Sequence, residues 1–175
     1  MARRPEPGWK SALAGPLEAA RRVVVLGVGN PDRGDDGAGV LVAASLARRR
    51  AKHPPAPSAL RPEAKVIIGA AVPESATGEV RAFAPDLVVL VDAVAATDPP
   101  GTIRVLKVED LAEEELATHR LPLSFLVRYL EESVGSRTLV IGLVSGPTDP
   151  GRPVSAPVRK AVSELSRYLA RFLFG

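Results

Sequence analysis

The run "VVVLGVGNPDRGDDGAGV", from Val23 to Val40, constrains the chain more than any other stretch. Its first six residues, Val23 to Val28, are apolar without alternation, the pattern of a strand buried on both faces in a parallel sheet covered by helices. Glycines end the strand. Gly37 to Arg50 then has helical character, with Val40, Ala44 and Ala47 on one face and Arg48 to Arg50 suited to the negative end of the helix dipole. Strand, glycine-rich turn and helix in succession open a layered α/β unit.

The remaining sequence repeats that alternation. Strands are predicted at Lys65 to Ile68, Leu87 to Val91, Thr102 to Val108 and Thr138 to Leu143. Helices are predicted near Pro73 to Phe83, at Leu123 to Ser133 and from about Ser155 to Leu173. The last repeats Val158, Val162, Leu165, Leu169 and Phe172 at helical spacing, a core-facing stripe. Trp9 to Arg22 reads as a short helix broken or entered at Gly15-Pro16, Ala51 to Ala64 as a proline-rich surface loop, and Glu109 to Glu115 as a solvated helix face. The connection "DAVAATDPPG" is short and rich in turn formers, which favours antiparallel pairing of the fourth strand over a crossover. The expected architecture is a three-layer α/β domain over residues 23–175 with a mostly parallel sheet, preceded by an N-terminal extension, residues 1–22, loose and then helical.

Composition removes whole classes of function. With 175 residues, 46% apolar and 25% charged, the chain is long enough to bury a substantial core. It has no cysteine, so thiolate metal sites, disulfides and a cysteine nucleophile are excluded, and any metal must be met by oxygen and imidazole. The net charge of +3 comes from scattered arginines without an aromatic-interleaved basic stripe, so no nucleic-acid partner is expected. The longest apolar run is far short of the roughly 20 residues of a membrane span, so no membrane insertion is expected. Arg3 and Arg4 lead into Pro5, Glu6, Pro7 and Gly8 rather than an apolar segment, and a cytoplasmic location is the expectation.

The loop after the first strand begins like a phosphate-binding fingerprint and departs from it. Gly27 and Gly29 fit a dinucleotide motif, but its third glycine position is Asp32, and no Gly-Lys-Ser/Thr follows for a P-loop. Asp32, Asp35 and Asp36 would repel a phosphate. A single aspartate before a helix is ordinarily a cap. With two in succession, one can cap while the other faces the space beyond the strand's carboxyl end, where open α/β sheets bind ligands. Asp92 ends the apolar strand "LVVLV", either as a turn former or as a second carboxylate converging on that crevice. His119, in "ATHRLPLSFL", is one of two histidines; alone it reads as a surface or capping histidine, and beside two convergent carboxylates it would complete a set suited to a divalent first-row metal.

Taken together, "GVGNPDRGDDGAG", the strand ending "LVDA", "PGTIRV", "THRLPL" and "LVIGLVSGP" resemble the hydrogenase maturation endopeptidases, which remove a C-terminal extension from the large subunit of nickel-iron hydrogenases. The segment "THRLPL" is most similar to the branch that processes formate-hydrogenlyase-type enzymes. The resemblance implies an α/β/α sandwich around a five-stranded mixed sheet of order 2-1-3-5-4 with strand four antiparallel. It implies that Asp36, Asp92 and His119 are the metal-contacting and catalytic residues, touching nickel carried by the large-subunit precursor, with no tightly bound cofactor of the enzyme's own and a monomeric chain. No nucleophile is assigned, and Asp36 or Asp92 is a candidate general base. A non-catalytic precursor-binding module and a hydrolase with its own divalent metal are the rival readings. One departure stands out: where the family commonly has an aspartate followed by glycines after the second strand, this chain has Ile68 and Ala70. A carboxylate in place of Ile68 would need solvent or a partner to offset desolvation.

Overall fold

The computed structural model describes residues 8–52, 61–70, 76–107, 111 and 123–175. Among the described residues, five helices, α1 (Gly8–Ala19), α2 (Ala38–Lys52), α3 (Thr77–Phe83), α4 (Leu123–Val134) and α5 (Ala156–Leu173), surround five strands, β1 (Arg22–Val28), β2 (Glu63–Ala70), β3 (Leu87–Val94), β4 (Ile103–Leu106) and β5 (Arg137–Val144). The strand order is β2-β1-β3-β5-β4, as the family resemblance implies.

β1 pairs in parallel with β2 on one side, from Arg22↔Glu63, and with β3 on the other, from Val23↔Leu87 to Gly27↔Val91. β3 and β5 run parallel from Leu87↔Arg137 to Val94↔Val144. β4 runs antiparallel to β5, from Ile103↔Leu143 to Leu106↔Val140. The short connection explains the reversal. The chain turns at Pro99–Thr102, where the Thr102 amide and hydroxyl both donate to the Pro99 carbonyl at 3.1 and 2.7 Å, and too few residues remain for a crossover.

The non-alternating strands are buried on both faces. Val23, Val25, Val89 and Val91 face one core with Val42, Leu46, Leu165 and Leu169 of α2 and α5. Val24, Leu26, Val88 and Leu90 face the other with Val80 of α3 and Leu126 and Leu130 of α4. Each fully buried aliphatic side chain contributes roughly 1.5–3 kcal/mol of gross burial energy.

Three local expectations are corrected. α1 continues through Pro16 instead of breaking there, because it docks by its side chains. Leu13 and Leu17 are buried in the first core, Trp9 meets Tyr168 of α5 edge-on at 5.1 Å, and the Tyr168 hydroxyl donates to the Lys10 carbonyl at 2.8 Å. The N-terminal segment from Gly8 is thus packed into the same core as the sheet. In α2, Val42, Ala43 and Leu46 are the inward face, whereas Ala47 is exposed and Ala44 only half-buried. The small alanines gave a weak stripe, and the larger Val42 and Leu46 decide the rotation. β3, finally, extends to Val94, so Asp92 lies inside the strand rather than at its end. The predicted helix near Pro73 to Phe83 begins at Thr77 within the described residues, and the acidic stretch 109–115 falls outside them except for buried Leu111.

Candidate active site

The sheet changes direction of winding at β1: from there the chain crosses to β2 on one side and later to β3 on the other. The carboxyl end of β1 is therefore the topological switch point where an open α/β sheet forms a crevice. α2 is seated unusually close to this point. A Cβ on Gly39 would lie 2.1 Å from the Val91 carbonyl oxygen and 2.3 Å from that of Val28, so only a glycine permits the first turn of α2 to sit between the ends of β1 and β3.

Residues 29–37 connect β1 to α2 through a loop and a 3-10 turn, Gly34–Gly37. Gly29 adopts φ +131° and leaves room for the Asp36 carbonyl, which a Cβ there would meet at 2.0 Å. The loop closes on itself. The Asn30 amide donates to the Asp36 carbonyl at 3.2 Å and to Asp36 Oδ2 at 3.1 Å. The Arg33 and Asp32 amides donate to the Asn30 carbonyl and Asn30 Oδ1, at 3.1 and 2.9 Å. Asp36 is thereby oriented by its own loop while remaining partly exposed.

Asp35 does something different. It is fully buried, and its side chain leaves the loop for the far end of the chain. Oδ1 accepts from the Ser155 amide at 2.7 Å; Oδ2 accepts from the Gly146 amide at 2.8 Å and the Ser155 hydroxyl at 2.9 Å. The 3-10 turn carries no side-chain cap, so the capping role expected of one aspartate is not found there. The buried member secures the segment after β5 and the N-cap of α5, not the start of α2. Backbone bonds reinforce the join: the Gly34 amide to the Arg152 carbonyl at 3.1 Å, and the Asp35 amide to the Pro147 carbonyl at 3.2 Å.

Asp92 lies one residue beyond Val91, the last residue of β3 paired with β1, and opposite Gly142 of β5. It is partly exposed, and its Oδ1 accepts from the Ala93 amide at 2.8 Å. The 3-10 turn bearing Asp36 packs against β3, so both partly exposed carboxylates belong to the carboxyl edge of the β1/β3 junction. His119 lies outside the described residues. Among the described residues, no three side chains of histidine, aspartate or glutamate are grouped to hold a metal. Ile68 pairs with Gly27 near the same edge and is 50% exposed, so solvent is available at the position where a carboxylate was expected to suffer desolvation.

The sequence reading did not reach Gly146 and Ser155. The only signal was the aspartate doublet itself, with "SGP" following β5. An open depression bounded by Pro147, residues 152–156 and Arg159 adjoins Ser155, but neither Asp36 nor Asp92 lines it.

The profile of the HycI hydrogenase maturation protease family matches residues 40–171. The chain is 31% identical over 147 residues to the hydrogenase 3 maturation protease of Escherichia coli K12, covering 83% of this chain and 87% of that protein. The crystal structure of a [NiFe] hydrogenase maturation protease HycI from Thermococcus kodakarensis superposes with a TM-score of 0.80 at 30% identity, covering 94% of this chain and 99% of the other. The solution structure of the endopeptidase HycI from Escherichia coli gives 0.72 at 29% identity, covering 88% and 94%.

Proposed function

The chain belongs to the hydrogenase maturation protease family, and from that premise we propose that it removes the C-terminal extension of a nickel-iron hydrogenase large-subunit precursor after nickel insertion. The supporting observation is the seating of Asp36 at the switch point against β3, the strand that bears Asp92. In this reading the nickel belongs to the substrate. Thiolates of the precursor hold the ion, and Asp36, Asp92 and His119 supply oxygen and nitrogen donors to positions left open, a ligand mixture a first-row metal accepts. Contact with the ion lets the protease distinguish a finished metal site from an empty one. The same ion polarises the scissile carbonyl or activates water, and Asp36 or Asp92 takes the proton as general base. The reaction is placed in the cytoplasm, with the protease acting as a monomer. No helix among the described residues is long and apolar enough to cross a membrane.

The test is incubation of the purified chain with nickel-loaded and nickel-free precursor, followed by intact-mass measurement of the large subunit. A shortened large subunit only with nickel is expected. Binding without shortening favours a non-catalytic escort, and shortening irrespective of nickel, abolished by chelating a metal held by the protease, favours a hydrolase with its own ion.

A further inference from the structure

Asp35 is adjacent to the proposed metal contact, yet it is fully buried, with both oxygens engaged by Gly146 and Ser155. A buried carboxylate is costly to desolvate unless its oxygens are well bonded. Here the three donors are two main-chain amides and one hydroxyl, drawn from the end of β5 and the N-cap of α5. The two oxygens are engaged by amides 111 and 120 residues away, which fixes both side-chain torsions of Asp35 and, through them, the direction in which the next residue leaves the turn. On its other side Asp36 is held by the Asn30 amide.

We infer that Asp35 is the positioning residue of this site: by anchoring the 3-10 turn to Gly146 and Ser155, it sets the pose in which Asp36 meets the substrate-borne metal. The inference rests on the reading of Asp36 given above. Its chemistry requires a carboxylate rather than an amide. Both oxygens accept from a backbone N–H, so whichever way an asparagine is turned at this position, its NH2 faces a donor. Asp35→Asn therefore leaves one amide opposed and unbonded within a buried join, and the turn shifts to relieve it. Ser155→Ala removes only the hydroxyl donor and leaves both backbone bonds in place.

Catalytic groups tolerate displacements of about 0.5 Å before rate is lost, and misplacement by about 1 Å costs on the order of 100-fold. Cleavage of nickel-loaded precursor is therefore expected to fall about 10- to 100-fold in Asp35→Asn and about 3- to 10-fold in Ser155→Ala, with Ser155→Thr restoring the rate because it restores the hydroxyl. The rates are read at a temperature where circular dichroism shows each variant fully folded. A second readout is the preference of the protease for nickel-loaded over nickel-free precursor in a pull-down, which Asp35→Asn should diminish and which loss of stability alone would leave unchanged. Asp36→Asn is run alongside. Full cleavage by Asp36→Asn overturns the site reading itself. Loss in Asp36→Asn with wild-type rate and wild-type preference in Asp35→Asn overturns the positioning role alone. If Asp35→Asn does not fold, Ser155→Ala and Ser155→Thr decide: equal rates in these two, at the wild-type level, overturn the inference.

Discussion

Replacing Gly39 with alanine tests the seating of α2. The added Cβ would lie 2.1 Å from the Val91 carbonyl oxygen and 2.3 Å from that of Val28, against the 3.0 Å below which real Cβ contacts essentially never occur. Both obstacles are backbone atoms of the two central strands, β3 and β1, and neither can yield by changing rotamer. The first turn of α2 must retreat by about 1 Å. Retreat is opposed from behind: Val42 and Leu46 are fully buried, and Ser45 Oγ bonds Ser166 Oγ of α5 at 3.1 Å. Overpacking of a well-packed core ordinarily costs about 1–3 kcal/mol. Because two carbonyls are struck together, the expected loss is about 3 kcal/mol or more, a large share of the roughly 5–15 kcal/mol of a typical domain. Urea unfolding measures it, with Gly78→Ala as control: nothing lies within 4 Å of that Cβ, and an exposed helical position should gain up to about 1 kcal/mol. The surviving folded Gly39→Ala protein should also process precursor slowly, since Asp36 lies three residues upstream of the displaced turn. An unfolding midpoint for Gly39→Ala equal to that of the parent, at equal slope, would refute the close seating of α2 against the sheet.

Asp36→Ala and His119→Ala should each abolish processing. For Asp36→Ala the loss of the Asn30 bond should lower stability by only about 1 kcal/mol, and full activity in both variants sinks the assignment of these residues. Elemental analysis of freshly purified protein should find no stoichiometric metal, because two carboxylates and one imidazole make a poor closed site but an adequate acceptor for an ion already ligated elsewhere; one tightly held zinc or nickel per chain would contradict this. Ile68→Asp should leave cleavage of the protein's own precursor unchanged or reduced. With Ile68 half-exposed the unfolding free energy of the variant should stay within about 0.5 kcal/mol of the parent, and a clear rate increase at that stability would mark the position as a recognition site awaiting its carboxylate.

How far the fold was legible depended on how local its signals are. Val23 to Val28 reads as a doubly buried strand because its residues are apolar without alternation, and the run Leu87 to Val91 of β3 is buried in the same way. The antiparallel β4 was visible in a connection too short to cross over. Polarity at Asp92 interrupts the apolar run and predicts the end of β3 there, yet the ladder to β5 uses backbone groups and continues past it to Val94. The doublet Asp35-Asp36 predicts a helix cap beside a crevice-facing carboxylate, whereas Asp35 is buried and the 3-10 turn has no side-chain cap. It could not reveal that Asp35 bonds Ser155, because that contact arises only when α5 is laid against α2. Proline in α1 was read by its local cost alone, and the tertiary docking of Leu13, Leu17 and Trp9 outweighed it.

The bonds from Asp35 to Gly146 and Ser155 also impose an order in time. Their partners lie 111 and 120 residues further along the chain. At roughly 5–20 residues per second of synthesis, those residues are made on the order of 6 to 24 s after the aspartate doublet. In the interval, β1, α2 and the glycine turn can form by near-neighbour contacts, while the join that finishes the turn waits for the most distant part of the fold. A nascent chain lacking α5 thus carries the aspartate doublet without the Ser155 amide and hydroxyl that Asp35 engages in the folded chain.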